Sequence, residues 1–188
     1  MVKLTWKPGT MIYPLPVVLV SCGATIQEYN VLTVAWTGTT CTNPAMCYIS
    51  IRPERYSYDI IKKNGCFVIN LTTTELAKAT DWCGVKSGRD VNKFKETGLT
   101  PIPATIVSAP MIEESPINIE CVVKDIISLG THDMFLSEVV AVNADEKYYD
   151  SWSGTFSLNN AQPICYSHGK YYEVGKSIGK FGFSVKKK

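Results

Sequence analysis

Two long alternating runs joined by a tight turn constrain this chain more than any other feature. Residues 117–129 put Ile119, Cys121 and Val123 on one side and Asn118, Glu120 and Lys124 on the other, the two-residue period of a strand. A second run, 132–144, follows a Leu129-Gly130 turn, so the pair reads as a β-hairpin. Shorter apolar runs at 17–22, 31–36, 46–51 and 66–71 predict further strands, and 163–167 with 171–174 predicts a small hairpin around Gly169. The helices between them are few and short. Ser57 stands where it can cap a helix over 58–63 that Gly65 stops. Thr72 and Glu75 have capping-box spacing for a helix running towards Trp82 and Cys83. Ser87 or Asp90 can cap a third helix that ends at Gly98. No regular βαβ unit is present, which excludes a doubly wound parallel sheet. The expected fold is mainly β: a closed or nearly closed antiparallel barrel with a few short inserted helices. The proline-rich stretch 100–116 is expected to wrap the surface or to reach a partner.

The 188 residues suit one domain spanning 1–188. With 45% hydrophobic and only 19% charged residues, some surface is expected to be covered by a partner subunit. Seven cysteines occur without a single CxxC pair, which argues against a zinc knuckle or a thioredoxin-like centre, and no metal site is expected. Cys47, Cys66, Cys121 and Cys165 fall in apparent strands and read as buried free thiols of a reducing compartment. A net charge of +2 is weak support for a polyanion partner; Lys176, Lys180 and Lys186 to Lys188 read as a solvated basic tail, and nucleic-acid binding is not expected. The apolar run 17–20 is too short for a signal peptide or a membrane span, so the cytoplasm is the expected compartment.

The chemistry concentrates in residues 30–57. Ser50, Arg52, Arg55 and Ser57 gather where a helix should begin, and arginines with hydroxyls at a helix N-terminus make a phosphate seat. Ion pairs with Glu54 or Asp59 are the alternative. Upstream, the amides of 33–40 and the hydroxyls of Thr37, Thr39 and Thr40 can bond the polar edge of a ring. Trp36 either lies beside that ring or belongs to a core or interface. Ser87 and Lys93 either close over a phosphate or sugar-like chain or sit on a solvated helix face. Cys83 is either reactive or structurally buried, with no partner base in sight. His132, at the start of a strand, can donate a hydrogen bond or shuttle a proton; His168 reads as a surface residue. Rossmann, Walker and GxSxG signatures are absent. The combination points to a phosphorylated aromatic cofactor held by a β fold.

Five segments, in order, carry a resemblance: NVLTVAWTG (30–38), SIRPERYSYDII (50–61), GCFVINL (65–71), DWCGVKSGRDVNKF (81–94) and GTHDMFLSEVVAV (130–142). Together they resemble the flavin reductase-like family, the FMN-binding split barrels, and most of all its flavoredoxin-type branch. The resemblance implies a homodimer of antiparallel, Greek-key-like split barrels, each binding FMN non-covalently near the subunit interface. By motif, Thr33, Val34, Ala35, Trp36 and Thr37 would border the isoalloxazine. Ser50, Arg52, Arg55 and Ser57 would hold the phosphate end, Ser87, Gly88 and Lys93 would close the site, and Ile51 and Cys83 would also belong to the cofactor-binding set. His132 would match the histidine of the family's GDH-type element, with Thr131 in place of the acid. The implied activity moves electrons from NADH or NADPH to free flavin, a ferric complex or a redox protein. The alternative is a flavoredoxin-like FMN electron-transfer protein without efficient nicotinamide turnover.

Overall fold

The computed structural model describes residues 1–185; Lys186 to Lys188 of the basic tail lie outside the described residues. Seven strands form the main sheet: β1 (Val18–Cys22), β2 (Asn30–Val34), β3 (Thr37–Cys41), β4 (Met46–Ile51), β5 (Cys66–Leu71), β6 (Ile117–Ser128) and β7 (Asp133–Ala144). Their order is β2-β1-β5-β6-β7-β4-β3, every pairing is antiparallel, and the sheet curls into a half-barrel. The hairpin read from the sequence is β6–β7, with two register shifts along it. Such bulges bend a long ladder and help it curl.

β1 is buried along its whole length, Ser21 being its one polar residue, because both of its faces are covered. Val18, Val20 and Cys22 join Leu32, Ile49, Phe67 and Phe135 on one face, where α1 (Tyr56–Asn64) adds Tyr58 and Ile61. Leu19 packs on the other face with Val31, Leu76, Cys83 and Phe94, under α2 (Ala77–Val85) and α3 (Lys93–Thr97). The edge strand β2 is thus held between α1 and α2.

Three helix caps differ from the sequence reading. Arg55, not Ser57, occupies the position before α1, and Ser57 lies buried in its first turn, accepting a hydrogen bond from Asn30 Nδ2 at 2.6 Å. The buried Thr72 does not cap α2; its hydroxyl donates to the Val17 carbonyl at 2.6 Å, while Thr73 Oγ1 accepts from the Leu76 amide. Neither Ser87 nor Asp90 caps α3; Asn92 does, accepting from the Lys95 amide at 3.0 Å. In the first two cases a tertiary partner takes the hydroxyl that local spacing assigned to the helix. Gly65 and Gly98 do end their helices, in the left-handed conformation, with φ of 66° and 72°.

The stretch 100–116 folds back over its own sheet, and Glu120 fastens it. Its carboxylate, inaccessible to solvent, accepts from the Thr105, Ile106 and Val107 amides and from Asn143 Nδ2, at 2.7 to 2.9 Å. Asn118 is buried on the same face and donates to the Ile112 carbonyl at 2.9 Å. The two ends of the fold meet in a three-stranded sheet in which Leu15–Pro16 pairs with β8 (Ile164–Ser167), itself paired with β9 (Lys170–Glu173). Cys47, Cys66 and Cys121 are buried strand thiols as expected and Cys165 is half-buried; Cys22 and Cys83 are buried as well.

Candidate functional site

The expected site residues converge around β2, at one edge of the sheet. A cavity of about 370 Å³ opens between the start of α1 and the segment 83–93. Arg52, Arg55, Ser57, Cys83, Ser87, Gly88 and Lys93 all line it, as does Thr33. A second cavity of about 190 Å³ is lined by Val34, Ala35, Trp36, Ser50, Ile51 and His132. Leu32, Thr33, Arg52, Arg55 and Gly84 line both, so the two are neighbouring parts of one site. Thr37 stands apart: it is buried, lines neither cavity, and its hydroxyl donates to the Tyr48 carbonyl at 2.6 Å.

The larger cavity is strongly cationic. Arg52, Arg55, Lys86, Arg89 and Lys93 line it, against the single carboxylate of Glu54, which lies 3.7 Å from Arg52. Short local bonds aim these cations. Arg55 Nη1 donates to the Gly84 carbonyl at 3.1 Å, tying the start of α1 to the end of α2. Arg89 donates to the Glu54 carbonyl at 2.9 Å, and its guanidinium lies over the Tyr56 ring, 5.6 Å from the centroid. Lys93 is buried and donates to the Cys83 carbonyl at 2.7 Å. Burial pushes the Lys93 ammonium below its ordinary pKa; the nearby Cys83 thiol opposes that and Arg55 adds to it. An anion in the cavity would relieve this cost. Burial pushes the Cys83 thiol up to about 11, with Lys93 opposing, so it carries no thiolate near neutral pH.

Gly88 brings the segment 84–93 against the rest of the site. A methyl group there would lie 2.3 Å from Asn30 Oδ1 and 2.6 Å from Tyr56 Cδ1, so only glycine allows this approach. Ser87 Oγ accepts from the Arg89 amide at 3.2 Å and shapes the turn.

The smaller cavity is aromatic. The rings of Trp36 and His132 stack with centroids 6.1 Å apart and planes 14° apart, which joins the bend after β2 to the residue before β7. Thr131 Oγ1 lies 3.0 Å from His132 Nδ1. Tyr166 and Tyr171 of β8 and β9 supply further wall, packed edge to face at 5.8 Å. Tyr171 donates to Asp81 at 3.2 Å; burial, then the Asp81 charge, pushes its hydroxyl up to about 12. The Thr33 hydroxyl donates to the Thr80 carbonyl, so it faces α2.

Sequence reasoning missed several lining residues. Arg89 and Lys86 had a usable signal, since they flank Ser87 and Gly88 within one short segment. Asn30 had none, because its value lies in contacts with Ser57 and the Gly88 backbone. Tyr166 and Tyr171 had none either, because they arrive from the far end of the chain. Among the described residues, no group of three or more His, Cys, Asp or Glu side chains is placed to hold a metal ion. No helix there is long and apolar enough to cross a membrane.

Known proteins resemble this chain in both sequence and fold. An uncharacterised protein of Pyrococcus abyssi is 30% identical over 157 residues, covering 84% of this chain and 90% of its own. The flavoredoxin of Desulfovibrio vulgaris (Miyazaki F) superposes with a TM-score of 0.88 at 30% identity, over 98% of this chain and 99% of that one. A flavoredoxin from Methanosarcina acetivorans superposes with a TM-score of 0.87 at 26% identity, over 99% and 100% of the two chains. The flavin reductase-like domain matches residues 10–175. Similarity in sequence and in fold thus coincide, and the chain belongs to the flavin reductase-like family.

Proposed function

We propose that this protein binds FMN and works as an electron-transfer flavoprotein of the flavoredoxin type. One observation carries the reading: a cation-lined cavity runs into an aromatic one through shared walls, the shape of a ligand with a phosphate at one end and a flat ring at the other. The residues fit FMN. Arg52 and Arg55 would meet the phosphate with paired donors, and Lys93 and Arg89 would add charge. Gly88 lets the covering segment come close, and Trp36 and His132 offer ring faces. Bound FMN would supply the redox chemistry. The protein's own part is to anchor the phosphate, keep one face of the ring accessible and shield the other. The two flavoredoxin structures, similar over nearly the whole chain, support this reading over a dedicated reductase.

The second reading is an NADH- or NADPH-dependent reductase that passes electrons to free flavin, a ferric complex or a redox protein. It is favoured by His132, whose imidazole, stacked on Trp36, lines the ring cavity where a donor would approach. We also propose a homodimer. Leu4, Trp6, Met11 and Ile12 of the N-terminal segment are exposed in the single chain, as is Trp152, and a second subunit would cover apolar groups of this kind.

Titration with FMN tests the core claim: a saturable complex is expected, and its absence overturns the proposal. Rapid mixing of the FMN complex with NADH or NADPH separates the two readings. Slow or no bleaching with nicotinamide, alongside fast reduction by a low-potential electron donor, is the electron-transfer outcome. Bleaching on a catalytic timescale establishes the reductase instead.

A further inference from the structure

The two cavities are connected by more than shared walls. α1 begins at the cationic cavity, where Tyr56 and Ser57 line it. The next residue, Tyr58, points away from it, about 100° further round the helix. Its ring is buried, packs edge-on against Phe135 of β7 with centroids 5.3 Å apart, and its hydroxyl donates to Asp133 Oδ2 at 2.5 Å. Asp133 is the first residue of β7 and the immediate neighbour of His132. The hydrogen bond leaves its mark on both partners: it pushes the Tyr58 hydroxyl up and holds the Asp133 carboxyl down, as a phenol donating to a carboxylate should. Lys62, 5.6 Å from the centre of the Tyr58 ring, is the cation facing the pair from α1. Asp133 also pairs with Ile51, the residue before Arg52.

We propose that Tyr58 is a positioning residue that ties the phosphate seat to the ring cavity, so that an anion held by Arg55 and Ser57 adjusts the placement of His132 against Trp36. The inference rests on the reading of the larger cavity as a phosphate seat. A helix turn is stiff, and Tyr58 is wedged between Phe135 and Asp133. A small displacement at Arg55 and Ser57 is therefore handed on to the first residue of β7 instead of being absorbed. A Tyr58 that merely fills space would need only its ring, and Phe135 would hold a phenylalanine equally well.

The chain has only two histidines, so the imidazole resonances of His132 can be followed by NMR in the full-length protein, with His168→Asn giving the assignment. The probe is inorganic phosphate, and its binding is measured independently by equilibrium dialysis. Phosphate is expected to bind and to shift the His132 signals. In Tyr58→Phe, phosphate should bind within threefold of the parent affinity, while the His132 shift falls by more than half. Asp133→Ala removes the acceptor of the same bond while keeping the phenol in place, and it should give the same loss if Tyr58→Phe proves poorly folded. Phosphate that binds but leaves His132 unmoved, or moves it equally in the variants, overturns the coupling and leaves the anchor reading standing. Phosphate that does not bind overturns the anchor reading and the coupling with it.

Discussion

Glu120→Gln should destabilise the fold by about 3–5 kcal/mol at neutral pH. Glu120 Oε1 accepts from the Thr105 amide at 2.8 Å and Asn143 Nδ2 at 2.7 Å, and Oε2 accepts from the Ile106 and Val107 amides at 2.7 and 2.9 Å. Glutamine keeps one acceptor oxygen and turns the other position into a donor. Two charge-assisted bonds, at roughly 1.5–3 kcal/mol each, are then replaced by amides facing an NH₂ group with no water to rescue them. For a chain of this length the loss corresponds to a melting temperature lower by roughly 10 °C. The assay is thermal unfolding followed by circular dichroism at fixed protein concentration. It also carries a pH signature. Burial alone would raise the Glu120 pKa, but the Val107, Thr105 and Ile106 amides and Asn143 outweigh it and hold the carboxyl below its ordinary value of 4.5. Its contribution is therefore complete above the unfolded pKa and is lost as pH falls through the lower, folded one. The gap between parent and variant should be full at pH 7 and narrow in acid. A gap under about 1 kcal/mol at pH 7, or one that widens in acid, would refute the reasoning.

Other perturbations bear on the site directly. Arg55→Ala should weaken FMN binding by about 2 kcal/mol, roughly thirtyfold in Kd, with a similar or smaller loss for Arg52→Ala. Fluorescence titration reads both, and an unchanged affinity removes these residues from the anchor. Gly88→Ala should lower FMN affinity at least tenfold, because the new methyl pushes the 84–93 segment off Asn30 and Tyr56; an affinity within twofold of the parent would show that the segment does not need this approach. His132→Asn should leave FMN affinity within about threefold, since the proposed phosphate anchor lies elsewhere, while changing the rate at which an external donor reduces the bound flavin. An equal rate in parent and variant would make the histidine a wall and nothing more.

Much of the barrel was legible because its strands carry their own period. The hairpin of β6 and β7 shows in the alternation from 117 to 144, and β1 reads as a continuous apolar run because α1 covers one face and α2 with α3 the other. What failed were decisions that a distant partner makes. Spacing gave the Thr72 hydroxyl to a helix, but Val17 takes it; Ser57 belonged to a cap until Asn30 reached across from β2. Asn118 and Glu120 follow the strand period, yet their polarity gives no hint that the 100–116 segment will bury them. The site divides in the same way. Its cationic end was readable because Arg52, Arg55 and Ser57 lie within six residues of one another, and Ser87, Gly88 and Lys93 within seven. Its aromatic wall was half hidden, because Tyr166 and Tyr171 have no local pattern that ties them to Trp36.

That wall has a kinetic consequence. Leu15 pairs with Tyr166, a partner some 150 residues away, which makes the terminal sheet one of the largest loop closures in the molecule. It should be among the last parts to assemble and among the first to come loose, since releasing it breaks its own short ladders and a few bonds to residues 72–81, such as Ile164 to the Thr72 carbonyl and Tyr171 to Asp81, and leaves the seven-stranded sheet whole. A ring held between Trp36 and the two tyrosines would bridge a durable wall and a provisional one. The ligand would then act as a clasp, and its departure rate would be set by how often the two ends of the chain let go of each other.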